Sequence, residues 1–161
     1  MRISSLDERD CIEVLDRLGF GRLGCARDNQ PYIVPIYFVC EDNRLYGFST
    51  LGQKVQWMRA NHQVCVQTDE VVSSSDWTSV VAVGRYEEIL EAPLGDNQRN
   101  KVASLFEQRA LGWQSIPYAA SDVRGSAKPP LPVFYCIQIQ KVSGLRATPG
   151  GRTNSFHEKA G

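Results

Sequence analysis

Residues 31–66 read PYIVPIYFVCEDNRLYGFSTLGQKVQWMRANHQVCV, and the reading of this stretch decides the fold. Pro31 to Cys40 is rich in β-branched and aromatic residues, which suit a pleated, half-buried surface. Glu41-Asp42-Asn43 is a turn cluster that closes a hairpin, and Arg44 to Ser49 is the returning strand. Pro35 lies inside the first of these strands. Proline donates nothing to a ladder, so this strand belongs at a sheet edge or carries an irregularity. Neighbouring backbone groups are then free to bind something flat and polar.

The corner that follows, Ser49-Thr50-Leu51-Gly52-Gln53-Lys54, packs two hydroxyls, a glycine and a lysine into a strand-to-helix junction. Free N–H groups and the positive end of a helix favour an anion there. Lys54 adds a full charge, and Ser49 and Thr50 add donors. A phosphate suits such a corner. Each signal alone has a plainer meaning: a solvated lysine, a helix cap, an edge proline. The functional reading rests on their meeting where one ligand would need them.

Working outward, Ser5-Leu6-Asp7-Glu8 has the spacing of a capping box. Cys11, Val14, Leu15 and Leu18 repeat at helical spacing, and Gly19 ends that helix. Phe20 to Arg27 reads as a first strand and Asp28-Asn29-Gln30 as a turn. Arg22 reads as an arginine on a solvated strand face. Gln53 to Ala60 is a short helix and Gln63 to Asp69 a strand. Residues 70–76 form a polar loop. Trp77 to Leu90 is a long strand, apolar on both faces at its centre and therefore expected to be covered on both. Gly84 marks a bulge or a close backbone approach. A further helix, capped by Asp96 or Asn97, runs to about Arg109 with Val102, Leu105, Phe106 and Arg109 on one face. The proline-rich segment 111–132 is a long loop, and Val133 to Val142 is the last strand. Six strands with hairpin-length turns and inserted helices predict a mainly β, antiparallel barrel. The domain spans residues 1–148, and 149–161 is a flexible tail.

Composition narrows the function classes. The chain has 161 residues and a formal net charge of zero, so nothing points to nucleic acid or a membrane surface. The N-terminus has no long apolar run, and a cytoplasmic protein is expected. The five cysteines, Cys11, Cys25, Cys40, Cys65 and Cys136, share no CxxC spacing and read as small buried hydrophobes. His62 and His157 have no partner motif, so no metal site is expected. There is no GxGxxG and no Walker lysine motif. No Ser-His-Asp set or carboxylate pair points to hydrolysis, and no residue is assigned a catalytic role.

PYIVPIYF, LYGFSTLGQK, WTSVVAVGR and VFYCIQIQKVSGLR, in that order, resemble the pyridoxamine 5′-phosphate oxidase-like FMN-binding split β-barrels. Within that group the chain looks most like the 5-nitroimidazole reductase (Nim-like) branch. The likeness covers roughly residues 3 to 148. It implies a Greek-key split barrel forming a homodimer, with FMN at the interface. Carried over to this chain, Lys54, Ser49 and Thr50 would hold the phosphate. The backbone around Val34, Pro35, Ile36 and Tyr37 would meet the ring, and Ser79 and Val80 would line its other side. Trp113 from the second subunit would form a wall; taken alone, Trp77 and Trp113 are core or dimer packing. The implied activity is that of an oxidoreductase passing electrons from NADH or NADPH to a small oxidised substrate. The alternatives are a non-catalytic flavin carrier or sensor, or a member using deazaflavin or haem. Two features depart from the family. The chain ends VSGLRATPGG, where pyridoxamine phosphate oxidases carry an Arg/His/Trp-rich segment that grips substrate, which argues against vitamin B6 oxidation. Phe48 stands where Nim-like proteins often have histidine, which bears on the nitroimidazole chemistry but not on the flavin.

Overall fold

A computed structural model describes residues 1–90, 98–109 and 132–150. The elements in order are β1 (Arg2–Leu6), α1 (Glu8–Leu18), β2 (Phe20–Arg27), β3 (Gln30–Tyr37), β4 (Val39–Glu41), β5 (Arg44–Ser49), α2 (Gln53–Ala60), β6 (Gln63–Ser73), β7 (Asp76–Glu88), α3 (Gln98–Gln108) and β8 (Val133–Thr148). The chain is mainly β, as its alternation predicts. All pairings are antiparallel, in the order β3-β2-β6-β7-β8-β5-β4, with β1 added to β8.

That order dictates the shape. β3 and β4 are the two ends of the path, yet only Phe38 separates them in sequence. The sheet must therefore roll until its ends meet at Phe38. This residue is 1% exposed, and its N–H donates to Gly19 O at 2.9 Å. The sequence reading took Pro31 to Cys40 as one strand of one hairpin. Instead, β3 pairs with β2, and β4 alone pairs with β5. Pro35 accordingly lies on an end strand, opposite Arg22.

Among the described residues eight strands form, where six were expected for the chain. Arg2–Leu6 is extended because it pairs with the far end of β8, which runs past Val142 to Thr148. Ser5 is thus in a strand, and Asp7 caps α1, accepting the Asp10 N–H at 2.7 Å. Gly19 closes α1 at φ 58. Most of the expected loop 70–76 is strand, since β6 and β7 turn tightly at Ser74 and Ser75. The hairpin tips at Asp28-Asn29 and Asp42-Asn43 all have φ between 49 and 61°, the pattern of two-residue turns that follow the strand twist.

Inside the roll, Leu23, Leu45, Val66, Val80, Ala82, Tyr86, Tyr135 and Ile137 pack with Leu15 of α1 and Val55 and Met58 of α2. A second cluster lies outside β4, β5 and β8, where Val102 and Phe106 of α3 cover Val39, Tyr46 and Cys136. β7 was expected to be covered on both faces, and no described element covers its outer one. Val80 and Ala82 are fully buried, but Val83 on the outer face is 40% exposed, as are Phe20 at 40%, Tyr37 at 44% and Leu145 at 46%. The expected caps Asp96 and Asn97, the 111–131 part of the expected loop with Trp113, and residues 151–161 of the tail lie outside the described residues.

Gly84 sits at a register shift between β7 and β8. A Cβ there would meet Gln138 O at 2.4 Å and Ile137 Cγ2 at 2.8 Å, so backbone would have to move. Gly84→Ala should lower unfolding stability by about 1–3 kcal/mol in urea titration. Gly52→Ala, whose Cβ would meet nothing nearer than Thr50 O at 4.0 Å, should change it little.

Candidate functional site

β5 ends at Ser49, paired with Val133 of β8, and the chain leaves the sheet through Thr50 and Leu51. α2 then starts behind Gly52, whose extended backbone supplies no side-chain cap. Ser49 Oγ donates to Thr50 O at 3.1 Å rather than capping the helix. The first N–H groups of α2 therefore have no side-chain acceptor from the cap residue, and no acid stands in its first turn.

Lys54 occupies that first turn. It is half-buried and makes no hydrogen bond or ion pair among the described residues. Burial pulls its ammonium below the ordinary lysine pKa, partly offset by the neighbouring Cys25 thiol. Cys25 itself is 5% exposed, and burial pushes its pKa up despite Lys54. Three unfavourable conditions thus coincide: a cation removed from water, no counter-charge, and a position at the positive end of a helix. One bound anion would relieve all of them. The fit to a phosphate monoester is good on these grounds.

α2 cannot easily swing the lysine out. Val55 and Met58 are buried in the roll, and Trp57 packs on Tyr32 of β3 with ring centroids 5.4 Å apart. Arg59 makes a two-pronged pair with Glu88 at 2.8 and 2.7 Å, and Asn61 Nδ2 donates to Ala26 O at 3.0 Å.

The β3 edge adjoins this corner. Cys25, beside Lys54, is the ladder partner of Tyr32, and Val34, Pro35, Ile36 and Tyr37 follow on the same strand. Ile36 and the half-buried Val34 face the core, while Tyr37 faces outward and packs on Phe20 at 4.9 Å. β3 pairs only with β2 among the described strands, so its other backbone edge has no ladder partner. Ser79 and Val80 lie elsewhere. They are on β7, with β2 and β6 between them and β3, about 14 Å away at ordinary strand spacing. Ser79 accepts from Gln67 Nε2 at 3.3 Å on the outer face, and the Val80 side chain is fully buried. One chain does not bring them to the Lys54 corner.

Two features escaped the sequence reading. Phe48 points away from the corner and packs edge-on against Phe106 at 5.0 Å, so it serves the α3 cluster. The Arg59–Glu88 clamp joins residues 29 apart with no shared periodicity, and only the roll brings them together. Arg22, read as a solvated arginine, is half-exposed and paired with Asp69 at 2.9 Å. All five cysteines are free thiols, four of them buried. Among the described residues no cluster could hold a metal, and no helix is long and apolar enough to cross a membrane.

A rolled antiparallel sheet braced by helices, with an open seam beside a strand-to-helix corner, is the architecture of the split β-barrels. The chain belongs to the pyridoxamine 5′-phosphate oxidase family, whose model matches residues 7–146. An uncharacterised protein of Rhizobium meliloti is 34% identical over 152 residues, covering 93% of this chain and 99% of its own. The crystal structure of a FAD-binding protein from Mesorhizobium loti is similar at 37% identity and a TM-score of 0.73, over 92% of this chain and 99% of that one. A proposed 5-nitroimidazole antibiotic resistance protein from Bacteroides thetaiotaomicron shares the fold at 15% identity and a TM-score of 0.63, over 91% and 89% of the two chains.

Replacing Lys54 by a neutral side chain of similar reach tests the electrostatic account. Lys54→Met should leave the urea midpoint of the ligand-free protein unchanged or raised, because the variant removes a half-buried charge that no described residue neutralises. A clear loss of stability would mean that Lys54 has a partner within the fold.

Proposed function

We propose that this protein binds a flavin nucleotide, FMN, and acts as an oxidoreductase between NADH or NADPH and a small oxidised substrate. The observation that carries this is Lys54, a half-buried first-turn cation without a counter-charge among the described residues. Lys54, Ser49 and Thr50 would hold the phosphate. The free edge of β3, from Val34 through Pro35 and Ile36 to Tyr37, would offer backbone donors and acceptors to the ring. Flavin, when bound, supplies the redox chemistry. The protein's part is to fix the ring's edge, keep one face accessible, and neutralise the phosphate.

Homodimerisation belongs to the same reading. The exposed Phe20, Tyr37, Val83 and Leu145 are apolar side chains on the outer face that no described element covers. A second copy would cover it and would bring its own Ser79 and Val80 towards the flavin. The FAD-binding relative from Mesorhizobium loti supports a flavin and makes FAD the direct competitor to FMN.

The purified protein, or the apo-protein reloaded with FMN, should be yellow. Mass spectrometry of the molecule released on denaturation separates FMN from FAD, a deazaflavin or haem. Lys54→Ala should weaken FMN binding by about 1.5–3 kcal/mol, roughly ten- to a hundredfold, in titration of the apo-protein. Oxidation of NADH or NADPH with a panel of acceptors then separates an enzyme from a flavin carrier. Light scattering giving a monomer of 18.0 kDa would remove the shared-interface reading.

The pH dependence has a definite sign. Burial lowers the Lys54 pKa in the free protein, and a bound phosphate would raise it again. Between those two values, binding takes up a proton, so FMN affinity should fall as pH rises through the alkaline range. Below the lowered pKa, Lys54 is charged in both states and contributes no slope. In Lys54→Met this alkaline fall should vanish.

A further inference from the structure

Four polar side chains share the outer face of the sheet with apolar neighbours. Arg22 on β2 stands opposite Gln67 on β6, and Gln67 opposite Val81 on β7. On the same face, two residues further along each strand, Asp69 of β6 stands opposite Ser79 of β7, and Ser79 opposite Leu145 of β8. The exposed Phe20 and Val83 lie two residues from Arg22 and Val81.

The hydrogen bonds among the four run in one direction. The Arg22 guanidinium donates from one nitrogen to Asp69 Oδ1 at 2.9 Å and to Gln67 Oε1 at 3.4 Å. Gln67 Nε2 donates to Asp69 Oδ1 at 2.8 Å and to Ser79 Oγ at 3.3 Å. A carboxylate only accepts and a guanidinium only donates, so the amide of Gln67 can stand only one way round. Its oxygen faces Arg22, and both hydrogens of its nitrogen are committed. The ion pair thus fixes the amide, and the amide fixes the hydroxyl. Ser79 accepts from Gln67, and its own O–H donates to no described residue. What Ser79 can offer a ligand is therefore a donor.

We infer that Gln67 is a positioning residue for the flavin, holding Ser79 as a hydrogen-bond donor to an acceptor atom of the ring bound by the second copy. The inference rests on the flavin and homodimer reading above. Without Gln67, the Ser79 hydroxyl is free to turn to Asp69, its cross-strand partner. A ring acceptor gains negative charge on reduction, so a donor held there favours the reduced flavin and raises the potential.

Redox titration of the FMN-loaded homodimer tests this, with light scattering and FMN titration of every variant. Gln67→Met should lower the affinity for reduced relative to oxidised FMN about fivefold, a negative shift of about 20 mV in a two-electron midpoint potential. Ser79→Ala should give the same shift, and Ser79→Thr, which keeps the hydroxyl, should retain the original potential. Adding Gln67→Met to Ser79→Ala should shift it no further, because the amide then has no hydroxyl to orient. Gln67→Leu, equally unable to bond, should repeat the methionine result and replaces it where that variant does not fold or dimerise. An unchanged potential in a folded, FMN-loaded, dimeric Gln67 variant would overturn the assignment and leave the flavin reading intact. So would an equal shift from Gln67→Met with and without the Ser79 hydroxyl. Failure of the wild-type protein to take up FMN would overturn both.

Discussion

The fold depends on one topological constraint. The two ends of the hydrogen-bonded path, β3 and β4, are joined by a single residue, so the sheet has no choice but to roll. Phe38 is buried at that seam and ties its amide to the end of α1. Closure covers most of the edges that an open sheet would expose, but it is incomplete. Among the described strands β3 retains one free backbone edge, and the corner leading into α2 opens beside it. Incomplete closure leaves hydrogen-bonding backbone available at a rigid place, which a ligand site needs.

The electrostatics of the corner follow from how α2 is held. A short helix carrying Lys54 in its first turn would relax by turning the lysine to water if it were loosely attached. Its apolar residues enter the core, Trp57 packs on β3, and the Arg59–Glu88 pair fixes its last turn to β7. Hydrogen bonding to Arg59 holds the Glu88 carboxyl below the usual range, so this clamp is charged at neutral pH. Core contacts thus hold a cation where no described residue offers it a partner.

Much of this was legible in the sequence, and the reasons are local. The Asp-Asn turns, the Gly19 stop and the α2 span are set by neighbours within a few residues. Pro35 announced an end strand for a reason intrinsic to proline. What could not be read required knowing who pairs with whom. Nothing in PYIVPIYFVC says that the strand divides at Phe38, because both halves have the same strand-forming character. Arg2–Leu6 is polar on its own and becomes a strand only because β8 is long enough to receive it. Ser5 has a capping-box spacing as good as that of Asp7 in isolation, and only the pairing of β1 excludes it. At the site, the lysine and its hydroxyls were visible, but the lack of a counter-charge among the described residues was not, since that depends on every strand around them.

The two faces of the rolled sheet carry the final step. The inner face is packed by one chain, while the outer face exposes Phe20, Tyr37, Val83 and Leu145 on strands whose inner residues are fully buried. A sheet apolar on both sides is a stable arrangement only when something covers both. α3 does this over β4, β5 and β8, and no described element does it over β2, β3 and β7. Ser79, the one expected ring-lining side chain on that face, is also the residue that a single chain cannot carry to its own Lys54 corner. On the proposed flavin reading, a surface that no described element covers and a ring wall out of the corner's reach would have the same remedy. In the proposed homodimer, a second copy laid against the outer face would bury these apolar side chains and supply that wall in one association.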